Sequence, residues 1–367
     1  MKILFIGPLD IGQTSRMRME TLIELGHAII PLNSQSGWDQ ASRVCRRLQQ
    51  GFANGPIIKK INLNLLELAI NHKPDLLWAE KQEYIYPQTL RELFKHGIKS
   101  LHFTPDPYFS LSWKRTRLSD ECMPLFDYTI TSKKYELDEY KKKCKRVIYM
   151  PLGFAEAVHR PLFPADSRER EIYKSDVAFI GGWEPRREKM LECIVRETNC
   201  DLKIWGYGWE HLVDGRWTLR RWLAMNQLAG NIQFKIKKNE ILSKAVQGSE
   251  IYADAYAWAI SGAKINIGFL RQVCPDQHTT RTFEIPACGS MLLADRTEEH
   301  REFFIEGKEA EFFSSKEELA EKVKFYLAHE ELRKKIAMNG YEKCYAAGYS
   351  YNNRLKDVLR QMEIKGI

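Results

Sequence analysis

Residues 276–290 read Asp-Gln-His-Thr-Thr-Arg-Thr-Phe-Glu-Ile-Pro-Ala-Cys-Gly-Ser, and their order suits the binding of a phosphorylated ligand. Thr279 or Thr280 can cap a helix whose first turn holds Glu284, and Pro286 is tolerated that early. A helix start offers N–H groups and the positive end of a dipole to a diphosphate. Thr280 and Arg281 are therefore candidate phosphate contacts. Glu284 beside them can accept two hydroxyls, as a ribose presents. The competing reading is an acid placed to complement the helix dipole.

A second stretch, 179–188, reads Phe-Ile-Gly-Gly-Trp-Glu-Pro-Arg-Arg-Glu. Gly181 and Gly182 end a strand and let backbone approach a ligand. Arg186 and Arg187 then open a helix, where their charge opposes the dipole, and guanidinium pairs bidentately with phosphate. A solvated first turn is the alternative. Residues 205–209, Trp-Gly-Tyr-Gly-Trp, follow another strand. They lack the third glycine of a dinucleotide fingerprint, and Tyr207 beside Gly206 either stacks on a base or packs in the core.

In the first half, the loop 7–16 carries Gly12, Ser15 and Arg16 between a strand and a helix. Ligands of open α/β sheets bind outside the carboxyl ends of strands, so this loop is a phosphate or acceptor candidate beside the reading of a plain polar turn. His102 and Asp106 lie in and just beyond a further strand. Either can serve as base for an acceptor hydroxyl; a satisfied histidine and an Asx turn before Pro107 are the alternatives.

These residues need rigid elements beneath them, and the hydrophobic pattern supplies alternating strands and helices. Strands are expected at 2–6, 28–31, 75–79, 100–103, 128–131 and 146–149, with helices at 17–25, 39–48, 63–70, 87–95 and 135–143. Prolines and charges interrupt the pattern near 161–174. Strands then follow at 176–180, 202–205, 232–234, 265–269, 291–294 and 311–313, with helices at 186–196, 282–288, 317–328, 330–347 and 351–363. Such alternation implies crossover units and two doubly wound parallel sheets. The expected division is 1–160, a linker at 161–175, a second domain at 176–347 and a last helix at 348–367.

The 367 residues suffice for two domains, and 44% hydrophobic with 28% charged residues is ordinary for a globular chain. No apolar run is long enough to cross a bilayer, and the start at Met1 reads as a buried strand rather than a signal peptide. A cytoplasmic protein is expected. Its net charge of +8 leaves contact with an anionic membrane surface open. One basic, tryptophan-bearing segment, 216–225, suits lipid as well as a core face with solvated arginines. The eight cysteines form no C-x-x-C pair and no D-x-D triplet occurs, so no metal site is expected. No nucleic-acid module is visible.

The segment Phe283-Glu284-(x4)-Gly289 resembles the glutamate-to-glycine segment of retaining GT-B glycosyltransferases. With Glu306-Gly307-Lys308-Glu309 and Lys316-Glu317-Glu318-Leu319, the run 281–289 is similar to the CgeB-like (spore-maturation-type) glycosyltransferase family. The resemblance is strong from Val177 to about Leu359 and looser before. It implies a GT-B fold, α/β, with two Rossmann-like domains facing across a cleft and a last helix crossing back to the first. It places Glu284 on the donor ribose and Arg186 or Arg187 on the diphosphate. Where those families carry a first glutamate, this chain has Asp276, so retention and inversion both stay open. A UDP- or GDP-sugar is the implied co-substrate, with no tightly bound cofactor and an unidentified acceptor, whether glycan, lipid, protein or small molecule. A nucleotide-sugar epimerase and a non-catalytic binder are the rival readings.

Overall fold

Central strands are buried along their length rather than at alternate positions: β1 (Lys2–Gly7) from Ile3 onward and β3 (Leu76–Glu80) throughout. Such runs belong to parallel sheets covered on both faces. In the computed structural model, which describes residues 1–111, 115–214 and 239–362, two such sheets form. The first also holds β2 (Ala28–Asn33), β4 (Lys99–Thr104), β5 (Tyr128–Thr131) and β6 (Val147–Tyr149), in the order β2-β1-β3-β4-β5-β6. The second comprises β7 (Ser175–Ile180), β8 (Leu202–Trp205), β9 (Val246–Gly248), β10 (Ala263–Gly268), β11 (Met291–Asp295) and β12 (Glu311–Phe313). Its order is β12-β11-β10-β7-β8-β9. All pairings are parallel.

The chain forms two compact units. One comprises Met1–Ala155, Cys274–Asp276 and Ser350–Ile367; the other comprises Glu156–Val273 and Gln277–Tyr349. Leu4, Ile6, Leu65, Leu77 and Leu93 centre the core of the first, and Val177, Phe179, Leu191, Ile265 and Leu293 that of the second. Each such side chain, fully buried, contributes about 1.5–3 kcal/mol. The last helix, Tyr351–Gln361, packs on the helix Thr14–Glu24 of the first unit, as expected. The Tyr351 amide donates to the Phe154 carbonyl at 2.7 Å and fastens this return.

Local signals set several boundaries. Ser42 accepts from the Cys45 amide, so the expected helix at 39–48 runs instead over Arg43–Phe52. Pro56 at the first turn and Lys73 in the left-handed conformation bound the helix Pro56–His72, longer than the expected 63–70. The strand β9 and the helix Ala253–Gly262 were not expected. β9 is only three residues, and the helix is apolar on most sides, which erases the 3.6-residue period. The basic, tryptophan-bearing segment at 216–225 and the expected strand at 232–234 lie outside the described residues.

Candidate functional site

In the second unit the strand order reverses between β7 and β10, and ligands of open α/β sheets bind at the carboxyl ends of strands beside such a reversal. Gly181 and Gly182 leave β7 there, and the helix Pro185–Thr198 follows, with Pro185 in its first turn. Arg187, almost fully buried, reaches back so that Nη1 donates to the Gly182 carbonyl at 2.8 Å and Nη2 pairs with Glu184 at 2.8 Å. Its Nε has no partner among the described residues. Burial lowers the Arg187 pKa to about 10; Glu184 acts against that shift, and Arg281 and Arg271 each add a smaller like-charge repulsion.

Arg281 opens the helix Arg281–Ala287, and its Nε donates to the Ile180 carbonyl at 2.5 Å, at the end of β7. Arg271 lies just beyond β10. Three guanidinium groups thus interact around the carboxyl end of β7. Sequence reasoning missed Arg271; its place immediately past an expected strand end was the available signal.

Arg186 is engaged differently. Its guanidinium forms a two-pronged pair with Asp295 at the end of β11, with Nη1 3.0 Å from Oδ2, and Asp295 also accepts from the Leu270 amide at 2.8 Å. The Asp295 carboxylate raises the Arg186 pKa above its ordinary range. The Asp295 carbonyl lies 2.6 Å from His300 Nδ1, and His300 Nε2 lies 2.9 Å from the Thr282 hydroxyl. Burial lowers the His300 pKa to about 4, so the ring is neutral at pH 7 and fixes Thr282 at the helix start.

Thr280 itself makes no side-chain cap. The Thr282 amide is bonded to the Thr279 carbonyl, and those of Phe283 and Glu284 to the Thr280 carbonyl. The expected cap is therefore corrected: a backbone turn begins this helix, and it engages amides that the sequence reading left for a ligand.

Glu284 is buried at the centre of this short helix. The Tyr256 hydroxyl donates to Oε2 at 2.5 Å, and His159 Nε2 lies 3.5 Å from Oε1. Burial, then the Glu284 charge, push the Tyr256 pKa far up and keep it a donor. A carboxylate has about four acceptor positions, so these neighbours leave capacity for hydroxyls. Neither Tyr256 nor His159 was expected here, because no sequence spacing links them to Glu284.

The glycines carry a structural duty. Gly206 has φ +145°, and a Cβ there would overlap the Gly181 carbonyl oxygen. A Cβ on Gly182 would come within 2.6 Å of the Tyr207 ring. The loops after β7 and β8 close on each other through these positions, and Trp209 Nε1 donates to the Gly181 carbonyl at 2.8 Å. Tyr207 is exposed.

In the first unit the reversal falls between β1 and β3. After β1, Gly12 adopts φ +84°, Ser15 is buried with its hydroxyl on the Pro8 carbonyl, and Arg16 pairs with Glu20 at 2.8 Å. At the carboxyl ends of β3 and β4, a cavity of about 40 Å³ is lined by Lys81, Glu83, His102, Thr104 and Asp106 among others. His102 is buried with Nδ1 unpartnered among the described residues, and burial lowers its pKa to about 4. Asp276 belongs to this unit. Buried Lys133 pairs with its Oδ1 at 2.6 Å, and the Tyr135 hydroxyl donates to the same oxygen at 3.0 Å. The sequence reading had grouped Asp276 with the Glu284 segment.

Residues 186–360 match the model of a family described as glycosyl transferase-like. No curated protein matches the chain. Among solved structures, HepE of Anabaena in complex with UDP-glucose is 13% identical, covers 99% of both chains and has a TM-score of 0.64. Sucrose-phosphate synthase from Thermosynechococcus elongatus is 13% identical over 98% of both, with a TM-score of 0.65. A glycosyltransferase from Rickettsia africae is 14% identical over 98% of this chain and 97% of its own, with a TM-score of 0.59. The two parallel six-stranded sheets with flanking helices are those of the GT-B fold.

Proposed function

We propose that the chain is a glycosyltransferase that takes a sugar from a nucleotide diphosphate donor held by its second unit. One observation carries this reading: Arg281 holds the Ile180 carbonyl at the carboxyl end of β7, and Arg281 and Arg271 each oppose the charge of buried Arg187, whose Nε has no partner among the described residues. A diphosphate beside them offsets that opposition between like charges. It also lets the arginines stabilise the leaving group without a metal ion, and one such preorganised donor is worth about 2.7–4 kcal/mol to the reaction. Glu284, oriented by Tyr256, takes the ribose hydroxyls. The UDP-glucose complex of HepE, a protein of the same fold, supports a UDP-sugar before a GDP-sugar.

The acceptor is assigned to the first unit, beside His102 and Asp106. A ring with a pKa near 4 is a weak proton acceptor, so His102 binds a hydroxyl and Asp106 is the base. Asp276, already paired with Lys133, positions rather than reacts. Membership of the CgeB-like branch, supported by the residues at 281–289 and 306–309, a hexose as the transferred sugar and a cytoplasmic location complete the reading.

The test is the melting temperature with UDP-glucose, GDP-mannose or neither, in the presence of a chelator, followed by assay of nucleotide release. A rise with one nucleotide class, lost in Arg271→Ala and Arg281→Ala proteins that melt normally without ligand, supports the site. Binding with no release under any acceptor supports the non-catalytic reading. Release of an epimerised or free sugar without acceptor supports the epimerase.

A further inference from the structure

The helix Arg43–Phe52 lies the opposite way round from an ordinary surface helix. Gln49 is buried against the fold, while Val44, Leu48 and Phe52 are 68%, 55% and 79% exposed. Their i, i+4, i+8 spacing places them in one stripe, because residues four apart share a helix face. Arg43 and Arg47, both exposed, flank it. Between Asp39 and Glu67 the chain has five basic residues, Arg43, Arg46, Arg47, Lys59 and Lys60, and no acidic one. The following helix adds exposed Leu63 and Ile70. Beside Phe52 opens a groove of about 450 Å³, whose lining includes Lys59, Tyr86 and Arg117, the last paired with Glu121 at 2.6 Å.

A soluble helix turns its apolar stripe inward. Here the apolar stripe faces water, bordered by arginine. Two terms then act in the same direction: burying the stripe removes apolar surface from water, and the cations meet negative charge. We propose that this face docks the protein on an anionic lipid surface. Val44, Leu48 and Phe52 enter the acyl boundary, and Arg43, Arg47 and Lys59 contact headgroup phosphates. Charge selects this occupant over a second copy of the chain, whose own basic helix would be repelled. The proposal is independent of the donor site, which lies in the other unit.

The test is co-sedimentation of the full chain with vesicles of phosphatidylcholine alone or with about 30% phosphatidylglycerol. Binding to the mixed vesicles only is expected. Val44→Ser/Leu48→Ser/Phe52→Ser and Arg43→Glu/Arg47→Glu should each weaken it by about tenfold or more while melting as the parent does. All five positions are exposed, and the two variants probe different forces, so a folding defect in one leaves the other decisive. No sedimentation with either vesicle, or binding that neither variant changes, overturns the proposal. So does a dimer in solution that the serine variant dissolves without any vesicle binding.

Discussion

Tyr256 makes a shorter contact with Glu284 than His159 does, and that makes it the place to separate function from packing. Tyr256→Phe removes a donor from a buried carboxylate and is expected to cost about 1–3 kcal/mol of stability. If Glu284 holds the ribose, the same change also weakens donor binding in a calorimetric titration. Lost stability with unaltered binding would make the pair purely structural. The buried histidines give a pH signature. His102 and His300 each have a pKa near 4 when folded, against about 6.5 unfolded, so the folded state binds fewer protons between those values. Their contribution is complete above pH 6.5 and lost as pH falls toward 4, on the order of 3 kcal/mol for each ring. The melting temperature should fall across that window, and His102→Gln should flatten part of the slope; a level wild-type curve would refute this. Residue types were enough to single out Glu284, Arg187 and Arg281 in the sequence. Their neighbours Tyr256 and His159 were not legible, because each comes from an element distant in sequence from Glu284, whereas Arg271 had only its place past a strand end to mark it.

At the scale of elements, the paired loops after β7 and β8 form the floor of the candidate donor site. Gly206→Ala should destabilise the second unit by about 2–4 kcal/mol, the sum of backbone strain at its positive φ and the overlap with Gly181. Urea denaturation reads this directly, and a loss below measurement error would mean the loops can separate. Strands with unbroken apolar runs were legible because burial on both faces leaves nothing polar to confuse them. β9 was not, being three residues long. The helix Arg43–Phe52 was misplaced by four residues at each end: its apolar stripe is not a core stripe, so only the Ser42 cap marked its start.

Across the whole molecule, the chain leaves the first unit after Ala155, contributes Cys274–Asp276 to it and returns at Ser350. Besides the Tyr351 amide, a second fastening is Arg18, fully buried, which pairs with Glu80 at 2.6 Å and reaches the Tyr351 hydroxyl at 3.2 Å. Trp78 Nε1 also donates to Glu80 at 3.1 Å. Arg18→Met strands the Glu80 charge and should cost about 3–5 kcal/mol, whereas Arg18→Met/Glu80→Leu should recover much of it. Denaturation of both variants decides the matter, and equal losses would mean that packing around Arg18, not its charge, holds the return.

By itself the sequence determined the alternation of strands and helices and the two parallel sheets, and it marked the segments proposed above to hold a donor, because hydrophobic period and cap chemistry are local. Only the tertiary structure decided which groups meet there. It tied Arg186 to Asp295, left Arg187 beside Arg271 and Arg281, and gave Asp276 to Lys133 in the first unit. Those outcomes depend on strand order and on which loops share the carboxyl end of a sheet, and no spacing along the chain records either.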